Sequence, residues 1–220
     1  MEIKMKNRIL FKWFLLLAIF SFFPLASSVA QVGHWYGAAT YQVSFPTGDT
    51  KDFISDPSWR GFGLDFRYTF KKDMTVGFVT GWNIFYEQVQ GTTQLETNPP
   101  GAITALTNRY INFVPVMLNA HYYMGERGKY RPYIGLCAGG YYVSQELQIG
   151  IADVTTDSWE WGIAPELGVI IPVDRTWGII VAGKYNFLFT KETVFSGTQL
   201  EKEIQNGYWG IQVGFAWQSY

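Results

Sequence analysis

The chain has 220 residues, a formal charge of −1 and a pI near 6.1, which leaves neither a basic surplus for nucleic acid nor an acidic tail. Aromatic residues make up 18% while mean hydropathy is about zero. That balance argues against a helical membrane protein and fits a membrane barrel, in which lipid-facing and lumen-facing residues alternate. The single cysteine, Cys137, leaves no internal disulfide and no Cys-based zinc cluster.

The first thirty residues have the layout of a secretory signal peptide. Lys4, Lys6 and Arg8 precede an apolar run from Trp13 to Leu25, and Ser28-Val29-Ala30 supplies small residues for cleavage after Ala30. The run is shorter than the ~20 residues a helical span needs. No cysteine follows it, so no lipoprotein anchor is indicated, and no later stretch is apolar enough for a helix across the bilayer. Residues 31–220 are expected to form the exported domain, crossing any membrane with strands.

The first strand is expected over about 34–45, with Trp35, Tyr41, Val43 and Phe45 on one face, and a polar loop follows to about Ser58. The second, 59–70, alternates most cleanly. Phe62, Leu64, Phe66, Tyr68 and Phe70 oppose Gly61, Gly63, Asp65, Arg67 and Thr69. Lys71-Lys72-Asp73 makes a tight turn into a third strand over about 75–88, which sets Phe78, Trp82 and Tyr86 against Val79, Asn83 and Glu87. Pro99-Pro100-Gly101 marks a long loop over about 91–108.

The fourth strand, about 109–124, shifts its pattern near Pro115 and then sets Val116, Leu118 and Tyr122 against Met117, Asn119 and His121. A short turn leads to the fifth strand, about 131–147, and a modest loop to about Asp157 precedes the sixth, 158–171. Pro172 to Arg175 is tight again. The seventh strand, 177–189, a charged loop over 191–205 and a last strand over 206–220 complete the chain. In that last strand Trp209, Ile211, Val213, Phe215 and Trp217 oppose Gly210, Gln212, Gly214, Ala216 and Gln218.

Eight strands with connections that alternate long and short make an all-β, antiparallel, up-and-down transmembrane barrel. Bulky rings gather near strand ends, where barrels carry interfacial girdles. A soluble lipocalin-like carrier, exported but not embedded, would share the alternation with its greasy face turned inward.

At Arg131-Pro132-Tyr133-Ile134-Gly135-Leu136 and Ala138-Gly139-Gly140-Tyr141-Tyr142 the chain resembles small outer-membrane barrel proteins of the OmpA/OmpW type. The resemblance implies a monomer in the outer membrane of a Gram-negative bacterium, with lipopolysaccharide outside and the barrel-assembly machinery as a partner. The terminal assembly signal of such proteins usually ends in Phe. Here Tyr220 is last, and Trp217, Phe215 and Val213 are out of phase with it.

Eight strands enclose a lumen that side chains fill, or that holds one small ligand. Asp65, Arg67, Glu166 and Lys184 point inward and are expected to pair at mid-height, with Gln212 and His121 in the same polar lining. The expected role is structural or surface-interacting, with little solute passage. The second reading is a passive conduit for small apolar molecules, as the OmpW-like resemblance implies. In it Pro115 weakens a lateral seam lined by Val116, Met117 and Leu118. Proline removes a ladder donor, so Pro115 and Pro165 should each mark a bulge. No enzyme is expected. His34 and His121 have no Ser at neighbouring spacing, and Glu160 and Glu166 stand about 20 Å apart along a strand. His121 is expected to be a satisfied packing residue. No cofactor or metal spacing is present.

Overall fold

The computed structural model describes residues 33–95, 101–125, 129–149, 152–189 and 206–218. The signal peptide read over residues 1–30, the Pro99-Pro100 pair, the charged loop over 191–205 and Tyr220 lie outside the described residues. Eight strands pair in chain order and close on themselves as an antiparallel barrel. They are β1 (His34–Gly48), β2 (Ser58–Lys71), β3 (Met74–Leu95), β4 (Gly101–Tyr123), β5 (Arg131–Ile149), β6 (Ala152–Pro172), β7 (Trp177–Phe189) and β8 (Asn206–Gln218). A five-residue helix, α1 (Asp49–Phe53), lies between β1 and β2. Closure runs from Tyr36↔Gln218 to Gly48↔Asn206.

The alternation decides which way the wall faces. Phe62, Phe66, Ile211 and Phe215 stand on the outer surface, 45–65% exposed, while Asp65 and Arg67 are 6% and 1% exposed inside. A carrier of the lipocalin kind needs the reverse, so that reading is overturned. The described outer surface instead carries Trp35, Trp59, Trp82, Trp159, Trp161, Trp177 and Trp209 among bare aliphatic side chains. Trp209 and Trp217 lie eight residues apart on β8. That is roughly 26 Å along the strand, or ~20 Å of height at the usual tilt, close to the apolar band of an outer-membrane barrel.

Two loop expectations are corrected. β3 and β4 continue as a paired ladder from Glu87↔Arg109 to Leu95↔Gly101, where a long loop was expected. Similarly, β5 and β6 stay paired out to Ile149↔Ala152. The β-branched residues Thr92, Thr93, Ile103 and Thr104 favour this extension over a coil, and the prolines fall beyond it. The four middle strands, 19–23 residues each, far exceed the ~9–11 needed to cross.

The prolines also behave differently from expectation. The alternation runs through Pro115 without a phase shift, with Ile111, Phe113, Pro115 and Met117 all inward. No bulge forms there. The β3–β4 ladder omits the pairs of Gly81 with Pro115 and of Trp82 with Val114, while Thr80↔Val116 and Asn83↔Phe113 keep one register. At Pro165 the β6–β7 ladder omits two pairs in the same way, between Ile163↔Phe187 and Glu166↔Lys184. The register shifts lie elsewhere, between Gln42 and Ser44 and between Thr69 and Lys71. A missing N–H removes a bond; nothing about it requires an extra residue.

Candidate functional site: a layered lumen

The lumen is stacked in three layers. Nearest the outer end, Phe85, Ile111, Phe113, Val143, Leu188 and Tyr208 form a buried apolar cluster, capped by Ile54 just after α1. The rings interlock edge to face, Phe85 with Phe113 at 5.8 Å and with Tyr208 at 5.6 Å. The cap is pinned from below. Ser55 N–H and its hydroxyl both donate to the Glu87 carboxylate, at 2.9 and 2.8 Å, and Arg109 Nη1 donates to the Phe53 carbonyl at 2.9 Å. Glu87, read as an inward charge, therefore serves the rim.

The middle layer holds the charges. Arg67 Nη2 lies 2.5 Å from Asp65 Oδ2 and 3.3 Å from Glu166 Oε1, and Lys184 Nζ lies 2.9 Å from Glu166 Oε2. Asp65 and Arg67 come from β2, Glu166 from β6 and Lys184 from β7, where Glu166 and Lys184 are cross-strand partners. Two cations thus balance two carboxylates in a buried interior. Further donors complete the carboxylates: Tyr133 hydroxyl to Glu166 Oε1 at 2.6 Å, and Asn119 Nδ2 to Asp65 Oδ1 at 2.8 Å. Arg67 Nη1 donates to the Tyr123 hydroxyl at 2.7 Å, and its guanidinium lies over the rings of Tyr36 and Tyr133 at 5.3 and 5.0 Å. Buried charges need such partners, because an unpaired one costs several kcal/mol, although Arg67 Nε itself is left without a hydrogen bond.

Residue phase alone could place Tyr36, Tyr123, Tyr133 and Asn119 inside, but not assign them to these charges. Contacts across strands decide that. Gln212 is also buried, opposite Gln42 in register, but among the described residues no bond joins it to the four charges. His121 is inside too, buried against Glu166 at ion-pair range rather than at hydrogen-bond distance. Neither ring nitrogen makes a hydrogen bond, and Nε2 stands 3.7 Å from Glu166 Oε1. Its ring lies over Gly135, where a Cβ would collide with the imidazole.

The third layer, Tyr36, Ala38, Tyr123, Tyr133, Ile180, Ala182 and Ala216, faces the end with the short turns. Below it a cleft of about 350 Å³ opens, with Arg131 and Trp177 at its rim.

Beside these layers runs the wall at Pro115. Its carbonyl accepts from the Thr80 hydroxyl at 2.9 Å, so a side chain replaces one missing ladder bond. Outside, Trp82 Nε1 donates to Asn112 Oδ1 at 3.1 Å across the same two strands. Of the residues read as a seam, Pro115 and Met117 face the lumen, whereas Val116 and Leu118 face out. Val116 and Leu118 border an outer groove with Phe78, Ala138, Gly140 and Trp161.

Comparison with known proteins agrees with this architecture. Among solved structures, Neisserial surface protein A superposes with a TM-score of 0.52 at 11% identity, covering 84% of this chain and 96% of that one. Ail of Yersinia pestis, solved with the heparin analogue sucrose octasulfate, gives 0.50 at 14%, covering 85% and 100%. The Escherichia coli outer membrane protein W gives 0.45 at 19%, covering 87% and 100%. No curated protein matches the sequence. The family model described as "OmpW family" matches residues 37–218. The chain is an outer-membrane β-barrel, and it belongs to the OmpW family.

Proposed function

We propose that this barrel passes small apolar molecules from the cell surface into the outer membrane, with a sideways exit between β3 and β4. One observation carries the reading: the apolar outer lumen ends on a charged floor beside a two-pair break in the ladder at Pro115. An apolar solute gains by entering the ring-lined upper layer. It cannot go on through four buried charges without desolvating them further. At that height the ladder lacks two pairs at Pro115 and two at Pro165, and it is the Pro115 gap that borders the outer apolar groove of Val116 and Leu118. The Thr80 hydroxyl and the Trp82–Asn112 bond hold it shut at rest.

The test is uptake of a fluorescent apolar probe into liposomes carrying the protein. Pro115→Ala restores a donor to β4 and should slow uptake, with Pro165→Ala as the control that should not. Uptake unchanged by Pro115→Ala rejects lateral exit.

A surface-interaction role is the second reading, favoured by the length of β3 to β6. These strands pair side by side beyond the span, through Thr107↔Ile149 on β4 and β5, and offer a four-stranded sheet to the exterior. Replacing residues 89–107 by a short turn should abolish any cell-surface binding while leaving apolar uptake intact. Binding that survives the deletion excludes that sheet.

A further inference from the structure

The lumen brings together three side chains that no spacing along the chain connects. His121 from β4, Cys137 from β5 and Glu166 from β6 place one ligand atom each within 4.8 Å of one another, all three residues buried. The register explains the meeting. His121 pairs with Gly135, two residues from Cys137, and Gly135 pairs with Glu166. The three therefore converge across adjacent inward positions.

We propose that Cys137 and His121 bind a soft monovalent metal ion, of the copper(I) or silver(I) type, in the barrel lumen. The donor set is a thiol and an imidazole, which suits soft ions. The second, independent observation is the imidazole itself. It is 3% exposed, Nδ1 has no hydrogen-bond partner, and Nε2 has only Glu166 Oε1 at 3.7 Å, beyond hydrogen-bond distance. Buried polar groups are nearly always satisfied. The ring is also held in place, seated on Gly135 and edge-on to Tyr133 at 5.3 Å.

Charge selects the ion. Asp65 and Glu166 already balance Arg67 and Lys184. A monovalent ion that replaces the Cys137 thiol proton forms one metal–sulfur bond, releases one proton and leaves the interior neutral. No oxidant or reductant takes part. A divalent ion on the same thiolate would leave a net positive charge beside Lys184 and Arg67. Glu166 is committed to Lys184, Arg67 and Tyr133, so it balances charge while the softer atoms ligate.

Silver(I) titration of the full barrel in detergent, with zinc(II) alongside, tests the proposal. Wild type should take up one silver ion per chain and release one proton. Cys137→Ser should lose that uptake. His121→Phe should weaken it by more than about tenfold, a size that even outer partners of a metal reach. Heat-shifted gel mobility reports whether each variant has folded. Should His121→Phe fail to fold, X-ray absorption on silver-loaded wild type decides, with sulfur and nitrogen both expected in the coordination shell. Silver held as tightly by folded His121→Phe, a sulfur-only shell, or zinc bound more tightly than silver would each overturn it.

Discussion

Arg67 is the side chain on which the middle of the lumen depends. It contacts both carboxylates, one tyrosine hydroxyl and two aromatic faces. Removing one partner from such a set leaves an uncompensated buried charge, which costs about 3–5 kcal/mol. Arg67→Met should lower the denaturant midpoint of the folded barrel accordingly. The double variant Arg67→Met with Asp65→Asn should recover much of the loss, since a neutral pair strands no charge. Equal instability of the single and double variants would contradict the pairing. Tyr133→Phe deletes one hydrogen bond to a charged group and should cost less, about 1.5–3 kcal/mol. Its ring rests where Gly168 has no side chain, so Gly168→Ala should mimic it by pushing the hydroxyl off Glu166. The sequence made the four charges readable because each falls on the inward phase of its strand. It hid their tyrosine partners and the His121–Cys137 neighbourhood, because a cross-strand contact depends on register, and register is not written in any one strand.

Element by element, alternation was the strongest guide and proline the weakest. β2 from Gly61 to Phe70 and β8 from Tyr208 to Trp217 read directly, with a period of two; the ends of β2, where the register shifts, did not. The outer halves of β3 and β4 did not, since Thr, Gln and Gly there show no greasy face and resemble a loop until they pair. Proline carried a true signal about lost donors but no information on whether the chain would bulge or leave a gap. The gap has a consequence for amide exchange. Pairing with β4 is absent at Gly81 and Trp82 but present at Val79 and Asn83, while all four stay paired with β2, so the amide aimed at β4 is the one left without a ladder partner. In deuterated buffer the Gly81 and Trp82 amides together should exchange faster than those two neighbours. Uniform protection along β3 would mean the seam is bonded in solution. Thr80→Val removes the hydroxyl that serves Pro115 and should destabilise by about 1 kcal/mol while speeding apolar uptake, the opposite of Pro115→Ala.

For the whole molecule, the outward aromatic and aliphatic surface is what commits the chain to lipid. Unboiled protein should migrate faster than boiled protein on a gel and should fractionate with the outer membrane. Brominated lipids should quench most of its tryptophan fluorescence, because seven of the eight described tryptophans, all but the partly covered Trp217, are exposed on the outer wall. Weak quenching would mean the rings are shielded and the embedding is wrong. The closed ladder also makes stability a property of the ring as a unit, since no strand has a free edge to peel from.

The two proline gaps deserve to be taken together, since they cut the ring into arcs of three strands (β4 to β6) and five (β7 to β3). Elsewhere the ladders skip only at the two register shifts, at Val43 and Phe70; at the proline gaps two consecutive pairs are missing, so the cylinder should flex there first. Lateral pressure from the surrounding bilayer should therefore flatten the cross-section by folding at these two lines, like a hinged case, while the arcs keep their curvature. Spin labels placed on opposite arcs would report that ovalisation as a distance that changes with bilayer thickness, whereas labels within one arc would hold still.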